Sequence, residues 1–104
     1  MKEESFKNFV LDQLRELPDL ECRPMFGGYG LYAGAHFFGI IYQGKLYFKT
    51  DPNTVKDYIR EDMFPFRPNK NQTLQKYYEV PAFVLENHLD LTGWAIKALN
   101  VEAK

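Results

Sequence analysis

Few side chains in this 104-residue sequence are equipped for covalent or acid–base chemistry. Cys22 is the single thiol, Ser5 the single serine, and His36 and His88 are the two imidazoles. No H-x-x-x-H, C-x-x-C or H-E-x-x-H spacing is present to set two metal ligands on neighbouring turns. Ser5 falls in a helical stretch and not on the strained strand-to-helix elbow that exposes a nucleophilic serine. Glu79 stands on a strand between Tyr78 and Val80, where pairing with Arg23 or a lysine explains a carboxylate at least as well as proton transfer does.

Two glycine patterns imitate nucleotide-binding motifs. Gly28-Tyr29-Gly30-Leu31-Tyr32-Ala33 has the G-x-G-x-x-A form, whose logic is a strand, a tight turn and a helix N-terminus beneath a pyrophosphate. Here another turn at Gly34 and a second strand follow instead of a helix. The stretch from Gly39 to Leu46 approaches a P-loop, but Leu46 stands where Ser or Thr must ligate magnesium, and strand formers fill the interior. Both read as hairpin chemistry. The expectation is a protein without catalytic residues, cofactor or metal.

Binding chemistry has more support. The run Phe26-Gly27-Gly28-Tyr29-Gly30-Leu31-Tyr32 partly matches the aromatic-glycine strand of RNA-recognition modules, where rings stack on bases. In Lys45-Leu46-Tyr47-Phe48-Lys49, alternation puts Leu46 and Phe48 on one face and Lys45, Tyr47 and Lys49 on the other. A basic, aromatic strip of this kind suits a nucleic-acid strand or a small ligand, and an ordinary half-buried strand produces the same alternation.

The elements that must position these residues follow from periodicity. Phe6, Phe9, Val10, Gln13, Leu14 and Leu17 recur at helical spacing, predicting an amphipathic helix over 3–16 that Pro18 stops. Short aromatic runs over 24–26, 29–32, 37–42 and 45–50, broken at Gly27-Gly28, Ala33-Gly34 and Gln43-Gly44, predict an antiparallel meander with tight turns. Asp51-Pro52 opens a helix on which Val55, Tyr58 and Ile59 share a face. The prolines and polar residues over 65–72 predict a loop. A strand over 76–80 is ended by Pro81, a helical turn reaches Leu85, and a last helix over 90–100 turns Leu91, Trp94, Ala95, Ala98 and Leu99 inward. No repeat or domain boundary interrupts 1–104.

Composition agrees. The chain is 45% apolar and 16% aromatic, which excludes low-complexity disorder and fits one core-bearing domain. A single cysteine points to a reducing compartment, and no apolar run is long enough for a signal sequence or a membrane span, so a cytoplasmic protein is expected. The net charge of −1 is that of no general polyanion binder. It conceals an acidic opening segment, with three basic against six acidic residues over 1–21, and a mildly basic middle, with seven against four over 45–76.

A resemblance spans nearly the whole chain. The string Arg23-Pro24-Met25-Phe26-Gly27-Gly28-Tyr29-Gly30-Leu31-Tyr32, then Phe38-Gly39, Gly44-Lys45-Leu46-Tyr47-Phe48-Lys49, Tyr77-Tyr78-Glu79-Val80-Pro81, Val84-Leu85-Glu86 and Trp94-Ala95, resembles the N-terminal domain of the TfoX/Sxy bacterial competence regulators. The resemblance implies an α+β fold, an antiparallel sheet flanked by N- and C-terminal helices. It also implies a non-enzymatic coactivator that assists a cyclic-AMP receptor protein in switching on DNA-uptake genes. With Lys104 soon after the last helix, the second, helical domain of those regulators is expected to be absent.

Arg23, Tyr29, Lys45, Tyr47, Lys49, Tyr78 and Glu79 are the motif and strand residues that a core does not demand, and they form the predicted interaction surface. Eight of the chain's aromatics lie between Phe26 and Phe48. With so few helices to cover them, some rings, Tyr29 and Tyr47 among them, are expected to stay exposed or to enter a homodimer interface.

Overall fold

The computed structural model describes residues 2–25 and 27–101, so Phe26, expected in the core, lies outside the described residues. Its centre is a six-stranded antiparallel sheet built from β1 (Leu20–Met25), β2 (Gly28–Ala33), β3 (His36–Tyr42), β4 (Lys45–Lys49), β5 (Pro65–Asn69) and β6 (Gln72–Glu79). Helices α1 (Lys2–Gln13), α2 (Val55–Arg60), α3 (Ala82–Leu85) and α4 (His88–Leu99) complete it. This is the α+β fold expected from the sequence. The strand order is β1-β2-β3-β4-β6-β5. Four strands form the predicted meander, after which the chain passes β4 to lay down β5 at the far edge and returns through β6.

Local chemistry explains the joints. Tyr42 pairs with Lys45 across a two-residue turn in which Gln43 and Gly44 have φ of 49° and 75°, the left-handed pair that a twisted hairpin requires. The segment expected to be a loop over 65–72 is instead β5 and the turn into β6. Pro65 and Pro68 are tolerated because β5 is an edge strand with irregular register, where a missing N–H breaks no continuous ladder. Pro24 obeys the same rule at the opposite edge. Gly34 donates to the Asp19 carbonyl, so by alternation Glu21, Arg23 and Met25 bond to β2 while the backbone groups of Cys22 and Pro24 point outward. Asn87 caps α4, its side chain accepting from the N–H groups of Leu89 and Asp90 at 3.1 Å.

The helices cover one face of the sheet. Leu31, Phe38, Ile41, Leu46 and Phe48 from the strands meet Val10 and Leu14 of α1, Tyr58 of α2, Val84 of α3, and Leu91, Ala95 and Ala98 of α4. The edge of Tyr58 meets Trp94 with ring centroids 4.8 Å apart. The Gln13 side chain donates to the Leu85 carbonyl at 3.0 Å, tying α1 to α3. Phe9, read as part of the inward stripe of α1, is exposed instead, and so is Ile59, read on one face of α2 with Val55 and the buried Tyr58.

The opposite face carries no helix, yet it holds a second, smaller core of Ile40, Tyr47 and Phe66, flanked by Met25, Phe37, Tyr42, Leu74 and Tyr77. A bulge makes this possible. Leu31 pairs with Gly39 but Tyr32 with Phe37, so Phe38 is an extra residue in β3. The phase shift lets Phe38 and Ile41 face the helices while Phe37, Ile40 and Tyr42 face the other way.

Candidate interaction surfaces

The seven residues predicted as one surface divide between the two faces. Tyr29 and Tyr78 lie on the helix side. Tyr29 is half-buried with the Lys7 ammonium 5.1 Å from its ring centroid, and Tyr78 packs against Tyr58 at 6.1 Å. Their rings complete the first core, so they do not join the others. Arg23, Lys45, Tyr47, Lys49 and Glu79 share the helix-free face, as alternation requires.

Tyr47 corrects the expectation most clearly. It is only 8% exposed, because Phe66 of β5 crosses onto it with ring centroids 4.8 Å apart and meets Tyr42 edge-on at 5.2 Å. Burial, reinforced by the charge of Glu79 and by Tyr42, pushes the Tyr47 phenol above its ordinary pKa. Tyr47 therefore offers no ring for stacking. Lys45 and Glu79 face each other at 3.9 Å on the same side.

What the helix-free face does present is a row the sequence reading missed. The Arg23 guanidinium lies 4.5 Å from the centroid of Tyr32, Tyr32 is 5.2 Å from Phe37, and Phe37 is 5.5 Å from Tyr77. Each of these rings is half-buried. Glu21 accepts from Arg23 Nη2 at 2.8 Å and fixes the guanidinium over the ring. Gly30 is the floor: a Cβ there would come within 3.1 Å of Phe37 Cε1 and 3.3 Å of Tyr32 Cε1, so its absence lets both rings lean onto the sheet. Lys49 stands across from Tyr77 in the register and has no ion-pair partner among the described residues. Alternation about the buried Leu31 puts Tyr32 on this face and was the signal the sequence held. The bulge at Phe38 and the register of β6 are what the sequence conceals.

Two open grooves meet at the end of α4. One, of about 600 Å³, runs between Thr50–Val55, Gln75–Lys76 and Asn100–Val101, and the other, of about 580 Å³, between His36, Phe37, Lys49 and Ala98–Val101. Thr50 is buried and satisfied, its N–H and its hydroxyl both donating to the Lys76 carbonyl. The basic middle segment does not form one patch. Lys45 faces Glu79, Arg60 and Lys97 share Asp57 at 3.2 and 3.4 Å, and Arg67 donates to the Lys70 carbonyl.

The potentially reactive groups are scattered. Cys22 packs against the first core, and burial raises its thiol pKa against the opposing charge of Lys7. His36 is exposed at the start of β3, and His88 sits 3.9 Å from Glu16 at the head of α4. Among the described residues no three His, Cys, Asp or Glu side chains are grouped as a metal ion would need. No helix among them is long and apolar enough to cross a membrane.

The helix layer has a different character. Among the described residues the large apolar side chains left exposed are Phe9 on α1, Ile59 on α2, Phe83 on α3, Leu89 and Ile96 on α4, and Phe64 in the turn before β5. None lies on a strand. The Phe64 and Leu89 side chains are 71% and 64% exposed, far from what a domain needs for its own stability.

An antiparallel six-stranded sheet with helices on one face and a row of half-buried aromatic rings on the other defines a small α+β domain. The family model for the TfoX N-terminal domain matches residues 12–101, and the chain belongs to that family of competence-related regulatory domains. No curated protein matches the chain.

Proposed function

We propose that this chain is a non-enzymatic regulatory domain that acts by protein–protein contact in the transcriptional control of DNA uptake, through the exposed side of its helix layer. The observation that carries the reading is the placement of the exposed apolar side chains on the helices and the turn that follows α2, while the strands expose none, in a member of the TfoX N-terminal domain family. Aromatic side chains are enriched in the buried centres of protein interfaces, and Phe83 and Phe9 are open to serve there. The family resemblance points to a cyclic-AMP receptor protein as the partner, and cytoplasmic residence follows from that role.

The test is binding of the whole chain to the purified cyclic-AMP receptor protein of the same organism, with cyclic AMP and promoter DNA present, read by interferometry. Phe83→Glu and Leu89→Glu place a charge at two exposed positions without touching the core, and each is expected to weaken the complex at least tenfold, about 1.4 kcal/mol. Absence of a complex, or a complex indifferent to both substitutions and to Ile96→Glu, would overturn the reading. A homodimer through the same side chains would appear as concentration-dependent sedimentation that the same substitutions abolish.

A further inference from the structure

We infer that the helix-free face of the sheet is a docking surface for a single-stranded nucleic acid, its bases stacking on the row Tyr32, Phe37 and Tyr77 and its phosphates meeting Arg23 and Lys49. Four observations support this occupant. The rings form a continuous row across the sheet at centroid separations of 5.2 and 5.5 Å. Stacking on side chains requires bases whose faces are free, which a single strand supplies and a duplex does not. Cations sit at both ends, with Arg23 laid over Tyr32 and Lys49 across from Tyr77 without an ion-pair partner among the described residues. An aromatic platform with flanking cations is the chemistry by which proteins hold single strands.

The third observation is that, among the described residues, none of the large exposed apolar side chains is on a strand, Phe64 just before β5 being the one beside the sheet, where its carbonyl accepts from the Glu79 N–H. The face presents half-buried rings with Arg23 and Lys49, beside the carboxylates of Glu21 and Glu79. The fourth is the groove of about 580 Å³ that opens beside Phe37, lined by His36, Lys49 and the Ala98–Val101 end of α4. It gives the strand an exit beside one further polar side chain, His36. Glu21 both positions Arg23 and sets a negative charge where a phosphate would pass, so it moderates affinity.

The experiment is fluorescence anisotropy of the full chain with labelled single strands of about ten nucleotides, one DNA and one RNA, and with the matching duplex, at low and moderate salt. Binding of either single strand, tighter than the duplex and weakened by salt, is expected, and the two single-strand arms tell which sugar is preferred. Tyr32→Leu and Tyr77→Leu, which keep apolar bulk but remove the ring, are each expected to weaken binding about fivefold or more. Lys49→Gln should flatten the salt slope by about 0.7, and Glu21→Gln should tighten binding. Phe83→Glu, on the helix layer, should leave it unchanged. Circular dichroism checks each fold, and the Lys49 and Glu21 variants, at positions outside the core, carry the test if a tyrosine variant does not fold. No single-strand binding at low salt, equal or tighter binding of the duplex, or indifference of folded variants overturns the inference. So does a substitution in the Tyr32, Phe37 and Tyr77 row that abolishes capture of a protein partner while oligonucleotides never bind.

Discussion

Two phenylalanines separated by one proline should behave as opposites. Phe66 is fully buried between Tyr42 and Tyr47, whereas Phe64 is 71% exposed in the preceding turn. A buried aromatic ring removes about 200 Å² from water, which at about 25 cal/mol per Å² amounts to an upper figure of about 5 kcal/mol. The two ring contacts and the cavity left behind put Phe66→Ala at about 3–5 kcal/mol. Phe64→Ala should stay within about 0.5 kcal/mol. Because domains of this size have only about 5–15 kcal/mol in total, the first substitution removes a large part of the stability and lowers Tm by more than about 12 °C. Urea unfolding followed by the fluorescence of Trp94, which packs on Tyr58 in the other core, measures both variants. The m value should be unchanged, so that the midpoint alone reports the loss. A Phe66→Ala loss below about 1 kcal/mol would refute the second core, and with it the reason Tyr47 is buried.

Two further predictions rest on single contacts. Gly28→Ala should destabilise by about 2–3 kcal/mol or prevent folding, because a Cβ there runs into the Ile41 carbonyl of the neighbouring strand, which is backbone and cannot swing aside; urea unfolding tests it, with Gly93→Ala, where a Cβ meets nothing, as the harmless control. Burial holds the phenols of Tyr47, Tyr58 and Tyr77 protonated above their ordinary range. A neutral group whose folded pKa is raised binds its proton more tightly folded than unfolded, so stability is intact below about pH 10 and falls as the pH rises beyond it. Ultraviolet titration should show these tyrosines ionising late, together with loss of structure, and Tyr58→Phe should remove part of the alkaline sensitivity.

How much of this was legible in the sequence depends on whether the signal was local. The inward faces of β4 and α4 were readable because Leu46 and Phe48, or Leu91, Ala95 and Ala98, repeat at the period of their own element. The Gln43-Gly44 turn was readable because its φ angles demand those residue types. The hairpin of β5 and β6 was not. Pro65 and Pro68 argue against a strand unless it is known to be an edge, and only the assembled sheet says so. The burial of Tyr47 was hidden for the same reason, since it depends on Phe66 arriving from a strand that lies beyond α2. For the interaction surface, alternation placed Lys45 and Lys49 together, but Arg23, Tyr32, Phe37 and Tyr77 join them only through cross-strand register and a bulge.

The central claim is that the helix layer is the surface through which this domain meets a protein of the transcription machinery. Hydrogen exchange of the full chain, alone and saturated with the cyclic-AMP receptor protein on promoter DNA, tests it most directly. Slowed exchange is expected across α3 and the first turns of α4, residues 82–96, with the helix-free strands unaffected by the protein. Unchanged exchange at 82–96 in a saturated complex would contradict it.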